Sequence, residues 1–168
     1  AAYVDAKKGL TASLANSKVN TGAAKGDIYK SIENLRGTAE ADRLIGDRGD
    51  NALLGEGGND TLIGGGGADR HFGGAGKDTA SYEGSRAGVV ASLFRPAENT
   101  NDAAGDTYHL IENLTGTAST DRLVGDNREN VLRGLGGNDT LEGLGGNDTL
   151  IGGAGNDTLD GGAGADSI

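Results

Sequence analysis

Nine-residue spacing constrains this chain more than anything else in it. From Leu114 an aliphatic residue returns at Leu123, Leu132, Leu141, Leu150, Leu159 and Ile168. Leu35, Leu44, Leu53 and Leu62 do the same earlier, and the register weakens at His71 and Ala80. From Leu44 and from Leu123 onward, two residues before each sits Asp or Asn: Asp42, Asn51, Asp60, Asp69 and Asp78, then Asp121, Asn130, Asp139, Asp148, Asp157 and Asp166. Nine is not a helical period. Glycine, 33 of 168 residues, would also cost a helix about 1 kcal/mol each. The pattern reads instead as six turn residues and three strand residues, with one aliphatic side chain per strand pointing inward. Two nonads then make a coil of about 18 residues. Stacked coils pair in parallel, and the aliphatics form a thin ladder. The expected fold is all-β, a parallel β-roll or β-helix solenoid. A core of that kind explains how 35% hydrophobic and 4% aromatic residues suffice.

A longer period lies over the short one. Residues 1–79 match 80–158 at 43 of 79 positions without a gap. Tyr3 falls on Tyr82, Gly26-Asp27 on Gly105-Asp106, and Ile32-Glu33-Asn34-Leu35 on Ile111-Glu112-Asn113-Leu114. The chain divides into a first module, 1–81, with nonads over 37–81, and a second, 82–168. In the second, irregular coils over 82–115 precede nonads over 116–168. Leu10 to Leu14 and Val89 to Leu93 alternate like strands, and Pro96 to Asn99 reads as a surface loop. One continuous solenoid is the preferred reading; a linker over 82–106 is the alternative.

Same-side turns lie 18 residues apart, so Asp139 falls beside Asp157 and Asp148 beside Asp166. Carboxylates about 5 Å apart repel unless a cation sits between them. Carboxylates with backbone carbonyls form a hard oxygen cage, which suits Ca2+ better than zinc, copper or magnesium. The net charge of −10 agrees with a cation partner. It argues against nucleic acid and anionic membrane surfaces, and no apolar run is long enough for a membrane span. Cysteine is absent, which removes disulfides and thiolate metal sites.

The nonads Gly134 to Asp166, with Gly55 to Leu62 and Gly73 to Asp78, resemble the RTX, or haemolysin-type calcium-binding repeat, family. The resemblance implies a parallel β-roll with several Ca2+ ions between turns. It also implies type I export from a Gram-negative bacterium, to the medium or the cell surface. The 79-residue unit looks like repeat arrays of secreted adhesins, glycan-modifying enzymes and alginate epimerases. The expected ligands are the side chains of Asp60, Asp69, Asp78, Asp139, Asp148, Asp157 and Asp166, with Asp42, Asp121, Asn51 and Asn130 as further members. Carbonyls of Gly55, Gly57, Asn59, Gly73, Ala75, Gly134, Gly136, Asn138, Gly143, Gly145, Asn147, Gly152, Ala154 and Asn156 complete the set. The pairs Asp60–Asp78, Asp139–Asp157 and Asp148–Asp166 are the strongest. Gly37 to Asp42 and Gly116 to Asp121 lack the inner glycines, and Asn51 and Asn130 are neutral. Weaker or absent calcium is expected at all four.

Other chemistries fit poorly. The sixth turn position is Asp, which repels phosphate, and no EF-hand spacing occurs. Only His71 and His109 could supply imidazole, and no nucleophile–base motif appears, so no enzyme is expected. His71 stands at an inward position as a tolerated defect. The sequons at Asn59, Asn113, Asn138, Asn147 and Asn156 are coincidental. The first residues hold no signal-peptide core, and Ala1 in place of Met suggests a fragment or a processed piece. Two functions remain: a structural, adhesive or assembly module of a secreted protein that folds on meeting calcium, able to join itself end to end, or an accessory polysaccharide-binding module. For the latter Arg43, Arg122, Arg70, Arg133 and Lys77 are candidate contacts.

Overall fold

The computed structural model describes residues 1–168. In chain order the strands are β1 (Thr11–Ser13), β2 (Asn34–Arg36), β3 (Arg43–Ile45), β4 (Ala52–Gly57), β5 (Thr61–Ile63), β6 (Arg70–Ala75), β7 (Thr79–Ser81), β8 (Val90–Ser92), β9 (Thr107–His109), β10 (Asn113–Thr115), β11 (Arg122–Val124), β12 (Val131–Gly136), β13 (Thr140–Glu142), β14 (Thr149–Ala154) and β15 (Thr158–Asp160). There is no α-helix, only four short 3-10 turns. The fold is an all-β parallel roll. Two compact units are formed, one from residues 1–80 with 106–111, the other from 81–105 with 112–168.

In the first unit β1, β3, β5 and β7 line one side, and β2, β4, β6 and β9 the other. In the second, β10, β12 and β14 face β8, β11, β13 and β15. Successive nonads alternate between sides, and pairing is parallel with an 18-residue offset: Leu44 opposite Leu62, Leu35 opposite Leu53, Leu132 opposite Leu150. The central residue of each short strand points inward, its flanks outward. Leu35, Leu44, Leu53, Leu62, Leu114, Leu123, Leu132 and Leu141 are all fully buried. Ala12, Ala80 and Ala91 take the same inward place in β1, β7 and β8.

Strand length departs from the three residues expected. β4, β6, β12 and β14 run to six because the ladder continues into the turn, with Glu56 opposite Gly74 and Leu135 opposite Gly153. The next turn position requires no side chain. A Cβ on Gly58, whose φ is +94°, would lie 2.4 Å from the Ala41 nitrogen.

Residues 10–24 and 89–103, outside the nonads, are folded the same way in both repeats, whereas Thr107–His109 forms a strand that its repeat equivalent, residues 28–30, does not. Asn20 accepts the Ser13 N–H and Asn99 the Ser92 N–H, at 2.8 and 2.9 Å. Pro96 opens the 3-10 turn Pro96–Glu98, where its missing N–H costs nothing.

Candidate functional site

The nonad turns are stitched to their neighbours by the Asp that ends most of them and, where it is present, by the Asn before it. The Asp side chain reaches back one coil: Oδ1 of Asp60 accepts the Asp42 N–H at 2.8 Å, and Oδ1 of Asp78 that of Asp60 at 2.7 Å. Asp69, Asp139, Asp148, Asp157 and Asp166 do the same for Asn51, Asp121, Asn130, Asp139 and Asp148. The preceding Asn reaches forward: Asn59, Asn138 and Asn147 accept the N–H of Lys77, Asn156 and Ala165. One carboxylate oxygen is therefore committed to holding the coils together, a role that spacing alone did not suggest. The second oxygen decides what a turn can bind.

In three glycine-rich turns, those ending at Asp60, Asp139 and Asp148, that oxygen has no hydrogen-bond donor. Oδ2 of Asp60, Asp139 and Asp148 is buried and unpartnered. At Gly55 the place a Cβ would take is 2.0 Å from Asp60 Oδ2 and 2.6 Å from the Gly73 carbonyl oxygen of the next coil. The corresponding distances are 2.2 and 2.5 Å at Gly134, to Asp139 and Gly152, and 2.3 and 2.6 Å at Gly143, to Asp148 and Gly161. A carboxylate of one coil and a carbonyl of the next thus converge on a space that any side chain would fill. A buried, unpaired carboxylate oxygen costs several kcal/mol. Burial pushes the Asp60 carboxyl up to about 7, opposed by the Asp42 N–H and reinforced by the charges of Asp78 and Asp42. Burial is also the main cause that raises Asp139 and Asp148. Carboxylates enter one or two to a gap, and no three acidic or imidazole side chains gather at a point. Hard, mostly backbone oxygen with one or two charges suits Ca2+ and no soft metal.

The turns lacking inner glycines are closed by the protein itself. Thr38 N–H donates to Asp42 Oδ2 at 2.6 Å, and its hydroxyl to Oδ1 at 3.3 Å, while Leu10 N–H takes Oδ1 at 2.8 Å. Thr117 and Val89 repeat this at Asp121. Asn51 and Asn130 likewise spend their oxygens on the N–H of Asp47 and Asp126. Asn130 also donates to the Glu112 carbonyl. An amide donor in that position faces a cation badly.

Of the expected carbonyls, Gly55, Gly73, Gly134, Gly143 and Gly152 face the preceding coil's glycine, at Gly37, Gly55, Gly116, Gly125 and Gly134, so this approach is common to the open and the self-closed turns. Ala154 accepts the Gly137 N–H at 2.9 Å. Asp106 is the ladder member that spacing missed. Its Oδ1 accepts the Asp69 N–H at 2.8 Å, although it lies 37 residues on. The Asp-Thr pair after a glycine, shared with the nonads, was the available signal. His71 is inward and fully buried, stacked on Tyr108 at 5.6 Å with Asp106 Oδ2 4.0 Å from Nδ1. Burial drives its pKa down to about 4, so it packs as a neutral ring. Among the cations, Arg122 pairs with Glu142 at 2.9 Å, and Arg70 lies over the Phe72 ring at 5.0 Å.

The RTX calcium-binding nonapeptide repeat matches in four copies, over residues 31–62, 45–80, 115–150 and 134–168. The chain belongs to that family. It is a calcium-binding repeat module. No curated protein matches the chain.

Proposed function

We propose that this RTX module is a structural element of an exported bacterial protein, folded by calcium outside the cell. The observation that carries this is the set of buried Oδ2 atoms at Asp60, Asp139 and Asp148, each lacking a donor. Without a cation, folding has to bury these oxygens uncompensated on a core only one side chain wide. With calcium the same atoms become ligands. Asp60 with Asp78, Asp139 with Asp157, and Asp148 with Asp166 hold the ions, together with carbonyls of the facing turns. Asp69 and Asp106 supply a fourth gap of mixed type. Binding only the folded form stabilises it by mass action. A chain that meets little free calcium before export stays unfolded and folds on arrival. No catalytic role is assigned.

Far-UV circular dichroism during a calcium titration tests this, with magnesium as control. The expected result is a coil-to-β transition with calcium, absent with magnesium and reversed by chelator. A stable β signal in chelator overturns the coupling.

A second reading, an accessory site for polysaccharide, has one observation behind it. In the second unit Ser92, Phe94, Arg95, Glu98, Arg122 and Glu142 line an open groove in which Phe94 is half exposed. The repeat-equivalent positions in the first unit are Ser13, Ala15, Asn16, Val19, Arg43 and Ile63. An exposed ring among charged groups is the chemistry of a sugar platform. Titration of the calcium-loaded chain with acidic oligosaccharides, beside Phe94→Ala, tests it. Equal heats for the two proteins would remove the reading.

A further inference from the structure

The groove behind the second reading lies wholly within the second unit, and one residue of its wall is held under strain. Phe94, Arg95, Glu98, Arg122, Glu142 and Leu144 line a volume of about 180 Å³. The first repeat has Ala15, Asn16, Val19, Arg43, Ile63 and Gly65 at these places, so only one arginine is common to both. Leu144 is the change that costs most. Its φ is +74°, and Gly65 has +98°. Glycine adopts that region freely and leucine only against its own Cβ. Glu56 and Leu135 hold the same turn position at φ +80° and +78°, but they are each other's repeat equivalents, so that strain is shared by both copies. Among the nonad turns Leu144 alone replaces a glycine of the other repeat with a strained side chain, and it does so where the groove is. Backbone strain kept at one copy only is the mark of a residue with a task at that place.

The rest of the groove is set for one small acidic ring. The segment that carries Phe94 is fixed by its own bonds. Ser92 Oγ accepts the Arg95 N–H at 2.9 Å, and the Glu98 N–H donates to the Arg95 carbonyl at 3.0 Å. Arg122 is committed, since its Nε and Nη2 donate to the two Glu142 carboxylate oxygens at 3.0 and 3.1 Å. Arg95 is not. Its bond to Glu98, at 3.3 Å, joins side chains that are 65% and 48% exposed, and an exposed pair of that kind contributes little. An incoming carboxylate takes Arg95 from Glu98 at small cost. The volume is well under the roughly 300 Å³ at which pockets for drug-sized molecules begin. It seats one ring rather than a stretch of chain.

We infer that the groove takes a single acidic sugar residue, with its carboxylate on Arg95 and its apolar ring faces on Phe94 and Leu144, and that Leu144 is a specificity-determining residue of this site. The inference rests on the polysaccharide reading above and names the ligand class that reading leaves open. It also accounts for a side chain that the fold alone would do better without.

Amide shifts of the calcium-loaded chain, titrated with glucuronic acid and with glucose as the neutral comparison, test it. The shifts should centre on residues 92–98 and Leu144, and glucuronic acid should bind about tenfold more tightly than glucose. Arg95→Gln should remove that preference and keep the binding of glucose. Leu144→Gly should melt at a higher temperature than wild type and bind glucuronic acid about tenfold more weakly. A residue with a merely structural role would not move those two readouts in opposite directions. A Leu144→Gly chain that binds like wild type overturns the role of Leu144. Binding of acidic oligosaccharide at the groove without binding of the monomer overturns the single-ring site and leaves the polysaccharide reading standing. No shift at the groove with either sugar overturns both.

Discussion

The turns Gly37–Asp42 and Gly55–Asp60 begin with glycine, end with aspartate and lie one coil apart, yet they solve the same problem in opposite ways. In both, Asp Oδ1 takes an N–H from the preceding coil. In the first, Thr38 supplies an N–H and a hydroxyl to the same carboxylate. In the second, Glu56 stands in the place of Thr38, and Asp60 Oδ2 is left buried without a donor. The first turn is complete as protein. The second is complete only with a cation. Gly116–Asp121 and Gly134–Asp139 repeat the contrast. On the proposed reading, calcium dependence in this roll follows from which donors are missing as much as from how many carboxylates are present.

The largest effect should come from breaking the cation-dependent class. Asp139→Asn with Asp148→Asn places a neutral amide where the carboxylate oxygen faces a carbonyl of the next coil. The calcium concentration at the folding midpoint, read by circular dichroism, should rise by at least tenfold. Breaking the self-closed class should look different. Asp121→Ala strips the acceptor from Val89 N–H, Thr117 N–H and the Thr117 hydroxyl. Orphaned donors at about 1 kcal/mol or more each should lower stability in urea by about 3 kcal/mol, with the number of bound ions unchanged.

Acidity should sharpen the comparison at a smaller scale. Asp60 titrates at about 7 in the folded chain, against about 3.9 for an unfolded aspartate. The folded form therefore holds protons that the unfolded form has already released. In chelator, stability should be greatest below about pH 4 and fall as pH rises to about 7. Saturating calcium, which binds the ionised form, should abolish that fall. Circular dichroism at pH 5 and pH 8, each with calcium and with chelator, checks both signs: in chelator the small folded fraction should be larger at pH 5, and with saturating calcium the signal should not depend on pH.

The smallest effect concerns strain. Leu144 holds φ +74° at a turn position where Gly153 and Gly162 stand elsewhere in the repeat. Leu144→Gly should raise the melting temperature of the calcium-loaded protein by a few degrees, about 1 kcal/mol.

Much of this was legible in the chain. The inward leucines follow from two-residue alternation around a nine-residue period, both local, and every one from Leu35 to Leu62 and from Leu114 to Leu141 is buried. That the turns ending at Asp42 and Asp121 differ from the rest was legible from their absent glycines. Why they hold together regardless was not, because Thr38 and Thr117 act through backbone N–H groups that every residue carries. Asp106 was hidden because an insertion delivers it 37 residues after Asp69, outside any period. The six-residue strands were hidden because the ladder enters a turn only when two turns of like shape stack.

The central claim is that calcium occupies the glycine-rich turns and not the threonine-closed ones. Native mass spectrometry of the folded protein counts bound ions directly. For wild type the account predicts at least three calcium ions. It predicts three fewer in the variant Asp60→Asn, Asp139→Asn, Asp148→Asn, and the wild-type number in Asp42→Asn, Asp121→Asn. An unchanged count in the triple variant, or an equal loss in both, would contradict it.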